Sequence, residues 1–139
     1  LRAAAGTLAP TAGGPPGKLT DDHRRRTVYG FVSRRKLDPL LALYDFPNPT
    51  ATSEQRLPTN VPLQRLFFLN SSFVRTQAAA LAKRAESEPT PEARLRRLYR
   101  LLFGRAPTPE ELRLGRDFPG GWPQYTQVLL SSNEFLFVD

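Results

Sequence analysis

The 139-residue sequence has no cysteine, no methionine, one histidine and one tryptophan. Without cysteine there is neither a disulfide scaffold nor a thiolate metal site, and the single His23 excludes a multi-histidine centre or a histidine relay. A natural reading frame opens on methionine whereas this one opens Leu1-Arg2-Ala3, so the sequence is expected to be a piece of a longer protein. Long apolar runs are missing too. No stretch approaches the roughly 20 residues that span a bilayer, and no charged, then apolar, then small-residue leader is present. What remains, 40% hydrophobic and 24% charged residues, suffices for about one compact domain.

The charge is unbalanced, with 20 basic against 13 acidic side chains and a formal net charge of +7; 17 of the 20 are arginine. Such an excess permits binding to nucleic acid, anionic lipid, an acidic polymer or an acidic protein. It is spread along the chain, however, and only Lys18 to Lys36 is concentrated.

Residues 1–23, rich in Ala, Gly and Pro, lack a periodic apolar face and are expected to form a flexible lead-in to a helical domain over 24–139. Thr27, Val28, Tyr29, Phe31 and Val32 make the one β-rich run, which predicts a short strand. Leu40 to Tyr44 predicts one or two helical turns after Pro39, broken by Asp45-Phe46-Pro47-Asn48-Pro49. Asn60 with Pro62 is expected to open a helix carrying Leu63, Leu66, Phe67 and Asn70, and Ser71 or Ser72 to cap the next, which runs to about Ala85. Thr90-Pro91-Glu92 reads as a helix start, with Leu95, Leu98, Tyr99 and Leu102 as its apolar stripe and Gly104 as its end. Thr108 and Glu111 have capping-box spacing, and a final helix is expected from about Trp122 to Ser131 or Ser132. The fold class is therefore mainly α: about five short helices, one short strand and a long irregular N-terminal stretch.

These segments, taken in order, carry a resemblance. Gly13-Gly14-Pro15, Arg25-Arg26-Thr27-Val28-Tyr29 and Tyr44-Asp45-Phe46-Pro47-Asn48-Pro49 are followed by Gln55-Arg56, Thr59, Pro62-Leu63-Gln64 and Leu69-Asn70. Phe73-Val74, Tyr99-Arg100-Leu101, Gly104-Arg105 and Gln127 to Phe135 complete the series. The order and wording resemble the C-terminal part of the planctomycete-type large secreted proteins, whose last domain is the domain of unknown function number fifteen fifty-three. The resemblance implies export to the periplasm or cell surface, upstream domains of the same chain as partners, and a haem domain nearer the N-terminus of the parent; it implies no reaction for this segment. Arg65 departs from the family, which places a small residue after the glutamine. Tyr99 to Phe135 is also similar to the helical repeats of certain bacterial surface proteins, through its Tyr-Arg, Gly-Arg and terminal Ser-x-Glu-Phe elements.

The chemistry expected of the residues is modest. No Gly-x-Ser-x-Gly elbow is present, and His23 lies in a polar stretch where it reads as solvated. Glu110 and Glu111 are accounted for by helix capping. Asp45, in a proline-rich turn, is expected to form a structural ion pair with Arg56 or Arg26 rather than to act as an acid. Arg24 to Arg26 and Arg34-Arg35 flank Tyr29 and Phe31, a combination that can contact phosphate and stack bases, yet Arg94, Arg96, Arg97 and Arg100 read as the solvated face of a helix, and nucleic acid is disfavoured. The candidate contact residues are Arg25, Arg26, Tyr29, Asp45, Arg56, Gln64 and Asn70, with no catalytic residue, no metal ligand and no cofactor in the segment. The expected role is a noncatalytic interaction or scaffold module; the alternative is part of a hydrolase-like or carbohydrate-active enzyme whose main residues lie upstream.

Overall fold

The computed structural model describes residues 1–47, 49–50 and 62–137. Its described residues form eight α-helices: α1 (Arg2–Ala5), α2 (Pro39–Leu43), α3 (Pro62–Asn70), α4 (Ser72–Ala85), α5 (Pro91–Phe103), α6 (Pro109–Arg116), α7 (Trp122–Leu130) and α8 (Asn133–Leu136). The mainly helical class is as the sequence predicts. The chain divides into two compact units, one of Leu1–Thr7 with Phe67–Asp139, the other of Leu8–Leu66.

The first unit is built around α4, which packs on α7, α5 and α1. Its inward face carries Val74, Ala78, Leu81, Ala82 and Ala85, all buried. Three of these five are alanine, whose short side chains let neighbouring helix backbones come close. Leu95 and Leu98 from α5 and Leu130 from α7 close the core, each worth about 1.5–3 kcal/mol of burial. Gln77, the one buried side-chain amide among the described residues, accepts a hydrogen bond from the Thr7 hydroxyl at 2.5 Å, so the segment after α1 supplies the partner this position needs. Ala5, within the expected lead-in, is buried in the same core.

Local chemistry sets the helix ends. Thr90 accepts a hydrogen bond from the Ala93 amide at 3.2 Å with Pro91 in the first turn, and Gly104 ends α5 at φ 70°, a left-handed conformation that glycine adopts without a Cβ clash. Thr108 and Glu111 form the expected capping box: the Thr108 hydroxyl accepts from the Glu111 amide at 3.2 Å while the Glu111 carboxylate accepts from the Thr108 amide at 2.7 Å. Ser71 stands at the start of α4, but its side chain makes no capping bond. The residues after α7 turn back as α8, and Phe135 and Leu136 pack on the core.

In the second unit the expected strand over Thr27 to Val32 is not formed. Thr27–Tyr29 is a 3-10 turn, closed by Tyr29 N–H donating to the Arg26 carbonyl (2.9 Å) and Gly30 N–H donating to that of Thr27 (2.8 Å). Those local bonds satisfy amides that a strand would have paired with a neighbour. Val28 is 75% exposed, so its β-branched side chain meets none of the packing that makes such residues favour sheets. A single parallel bridge, Gly17 with Gly30, is the extended pairing among the described residues. Downstream, α2 begins where the Asp38 carboxylate accepts the Leu40 amide at 2.9 Å, with Pro39 in the first turn.

Candidate functional site

Of the residues singled out from the sequence, the structure brings Arg25 to Tyr29 and Asp45 to Gln64. The Arg25 guanidinium lies 4.1 Å from the centroid of the Tyr29 ring and donates to the carbonyls of Pro15, at 3.0 Å, and Gly13. A cation stacked on an aromatic face contributes about 0.5–2 kcal/mol, and here it also pins the Gly13-Gly14-Pro15 turn. The arginine and tyrosine considered for phosphate and base contacts are thus used on each other. Arg26 is exposed and lends its carbonyl to the 3-10 turn.

Asp45 terminates α2. It stands at φ 54°, in the left-handed region; its amide donates to the Ala42 carbonyl at 3.2 Å and the following Phe46 amide to that of Leu41 at 3.0 Å. Those two bonds make a Schellman motif, with aspartate where glycine is usual. Gln64 completes the helix end by donating to the Leu43 carbonyl at 3.0 Å and to the Asp45 carboxylate at 3.3 Å. Asn70 is the exposed last residue of α3, and Arg56 lies outside the described residues. His23 departs from the solvated reading. It is half-buried, with its ring close to Gly17, where an added Cβ would stand 3.2 Å from His23 Nδ1, and its Nε2 is buried without a hydrogen-bond partner among the described residues.

A dense charged constellation lies in the first unit and centres on Arg105. Nε and Nη2 donate to the two oxygens of Glu134, each at 2.7 Å; Nη2 and Nη1 donate to those of Glu111 at 2.7 and 2.9 Å; Nη1 also donates to the Ala106 carbonyl at 3.1 Å. All five guanidinium N–H groups are engaged. The cation lies 5.4 Å from the Tyr99 ring centroid and 5.7 Å from that of Phe103. It ties the loop after α5 to the first turns of α6 and α8. Arg105 hydrogen bonding, followed in weight by the opposing effect of burial and then the Thr108 amide bond, takes the Glu111 carboxyl down to about 2, and Arg105 likewise holds Glu134 below the usual carboxylate range. Two ionised carboxylates gripped by one arginine are structural: neither is poised to give or take a proton near neutrality. Beneath them, burial first and a hydrogen bond with Tyr125 second raise the Tyr99 phenol, and burial raises Tyr125.

At the opposite ends of these helices an open groove of about 520 Å³ is lined by Pro91, Gly115, Arg116, Phe118, Trp122 and Tyr125. Its floor is tight: a Cβ on Gly115 would lie 2.5 Å from Leu95 Cδ2 and 2.8 Å from the Tyr125 hydroxyl, so glycine is what lets α6 meet α5 and α7. Among the described residues no group of three or more histidine, aspartate or glutamate side chains is placed to hold a metal ion. Nor, among them, is any helix long and apolar enough to cross a membrane.

Fold and geometry together define a helical module in which the Arg105 cluster joins helices. The family model described as PSD1, a protein of unknown function (DUF1553), matches residues 1–118, and the chain belongs to that family. The match takes in Arg25, Asp45, Gln64, Arg105 and Glu111, while α7, α8 and Glu134 lie beyond it. No curated protein and no solved structure matches the chain.

Proposed function

We propose that the chain is a noncatalytic interaction or scaffold module at the C-terminus of a larger exported protein, with upstream domains of the same chain as its first partner. The observation that carries this reading is on α3, where Leu63, Leu66 and Leu69, spaced by three, are 59%, 50% and 56% exposed. Three leucines on one stripe of a nine-residue helix are surface that a partner covers at a gain of about 25 cal/mol per Å². The engagement of Arg105 by both carboxylates supports the noncatalytic part. Export follows the family resemblance described above.

Hydrogen exchange read by mass spectrometry, on this chain and on a full-length parent, tests the reading. Slower exchange of α3 in the parent, by tenfold or more, is expected. Equal exchange of α3 in the two overturns it.

A further inference from the structure

The aromatic groove between the start of α5, the end of α6 and the start of α7 is unused by the scaffold reading, and its chemistry is specific. Trp122 stands nearly perpendicular to Tyr125 (85°, centroids 6.4 Å apart), and Phe118 is tilted at 58° to the same ring at 5.3 Å. Tyr125 itself is buried, and the two rings packed on it stay partly exposed. Two partly exposed rings suit one compact ring with C–H faces better than an extended proline-rich peptide, which needs a row of ridges. The volume of about 520 Å³ lies in the range of small-ligand sites, about 300–1,000 Å³.

The polar lining is cationic. The Arg116 guanidinium is exposed and makes no hydrogen bond or ion pair with any described residue. Glu92, whose carboxylate feels the Arg116 charge, is itself bonded to Arg96 at 2.7 Å. Arg94 lies 5.8 Å from the Trp122 ring centroid while donating to the Glu88 carbonyl at 3.1 Å, adding positive potential beside the groove.

We infer that this groove binds an anionic sugar residue, its ring seated against Trp122 and Phe118 and its carboxylate or sulfate held by Arg116. Neutral sugars would keep the ring contact and lose the charge-assisted hydrogen bond. The inference goes beyond the scaffold role, and its failure leaves the α3 exchange test standing.

Trp122 is the sole tryptophan of the chain, so its fluorescence reports on the groove directly. The 139-residue chain would be titrated with digalacturonate, with a sulfated galactobiose, with neutral galactobiose and with a proline-rich peptide. A saturable response to one or both anionic sugars is expected, at least tenfold tighter than to the neutral one; whichever anion responds identifies the group held. Arg116→Ala should weaken that binding about tenfold or more, as loss of a charge-assisted bond requires, and flatten its salt dependence. Arg113→Ala, an exposed arginine on the same helix outside the groove, should leave it unchanged. Unchanged circular dichroism melting of Arg116→Ala separates lost binding from lost fold. No saturable response to either anionic sugar, equal binding of the neutral sugar, an Arg116→Ala variant that binds normally, or response to the peptide alone overturns the inference.

Discussion

Gly115→Ala should destabilise this protein, against the ordinary behaviour of a helix glycine. On an open helix surface the change gains about 0.8–1 kcal/mol, because alanine has less backbone freedom to lose. Here the new methyl carbon would stand 2.5 and 3.0 Å from the two δ-carbons of Leu95 and 2.8 Å from the Tyr125 hydroxyl. Leu95 is 0% exposed and has no space to retreat, so α6 must move off α5. Overpacking costs about 1–3 kcal/mol, and approaches as close as 2.5 and 2.8 Å belong to its upper part, about 2–3 kcal/mol, which leaves a net loss of about 1–2 kcal/mol once helix propensity is subtracted. For a unit of this size a loss of that order lowers Tm by about 4–16 °C. Thermal and urea unfolding followed by circular dichroism measure it. The same substitution in a Leu95→Ala background should cost less than in the native one, since the shortened side chain removes two of the three close contacts and leaves that to the Tyr125 hydroxyl. A higher Tm for the single variant in the native background would refute the close approach of α6 to α5.

Two other outcomes follow from the geometry. Asp45→Gly should keep or raise the protection of the Phe46 amide, whereas Asp45→Val should speed its exchange about tenfold or more, because a β-branched residue resists φ 54°; exchange by NMR reads both, and equal rates for the two variants would remove the cap. Glu111 and Glu134 have folded pKa values below their unfolded ones, so their contribution is complete above the unfolded value of about 4.3 and lost as pH falls toward the folded value of about 2 for Glu111. The urea midpoint should therefore fall between pH 5 and 2, and the Arg105→Ala variant should show a shallower fall over the same range; parallel slopes would contradict it.

Signals confined to a few neighbouring residues were legible in the sequence. Thr90-Pro91 and the Thr108 to Glu111 spacing act within one helical turn, and the structure forms both starts as read. Thr27 to Val32 misled because β-propensity reports packing on a sheet face: with Val28 in solvent and the turn closed by its own amides, a 3-10 geometry satisfies the backbone better. Asp45 is legible as a carboxylate, but its role is backbone conformation, which no spacing rule conveys for a non-glycine residue. The sequence does not show the task of Gln64, the open carbonyl of Leu43. Arg105 and Glu134 are legible only as parts of a repeated wording: their separation of 29 positions matches no helix or strand period, so nothing local shows that they share one ion pair. His23 was misread because its polar sequence neighbours say nothing of Gly17, which leaves room for the ring.

Charged side chains join the helices of the first unit, and the coupling between Arg105 and Glu134 tests that most directly. A double-mutant cycle of Arg105→Ala and Glu134→Ala, read by urea unfolding at pH 7, isolates the pair from the other contacts of each residue. Exposed ion pairs usually couple by about 0.2–1 kcal/mol, and a two-pronged bond within a three-residue network belongs at or above the top of that range, so about 1 kcal/mol or more is expected. Additive losses, with coupling below about 0.3 kcal/mol, would mean that α8 is held without this bond and that the Arg105 cluster serves something other than packing.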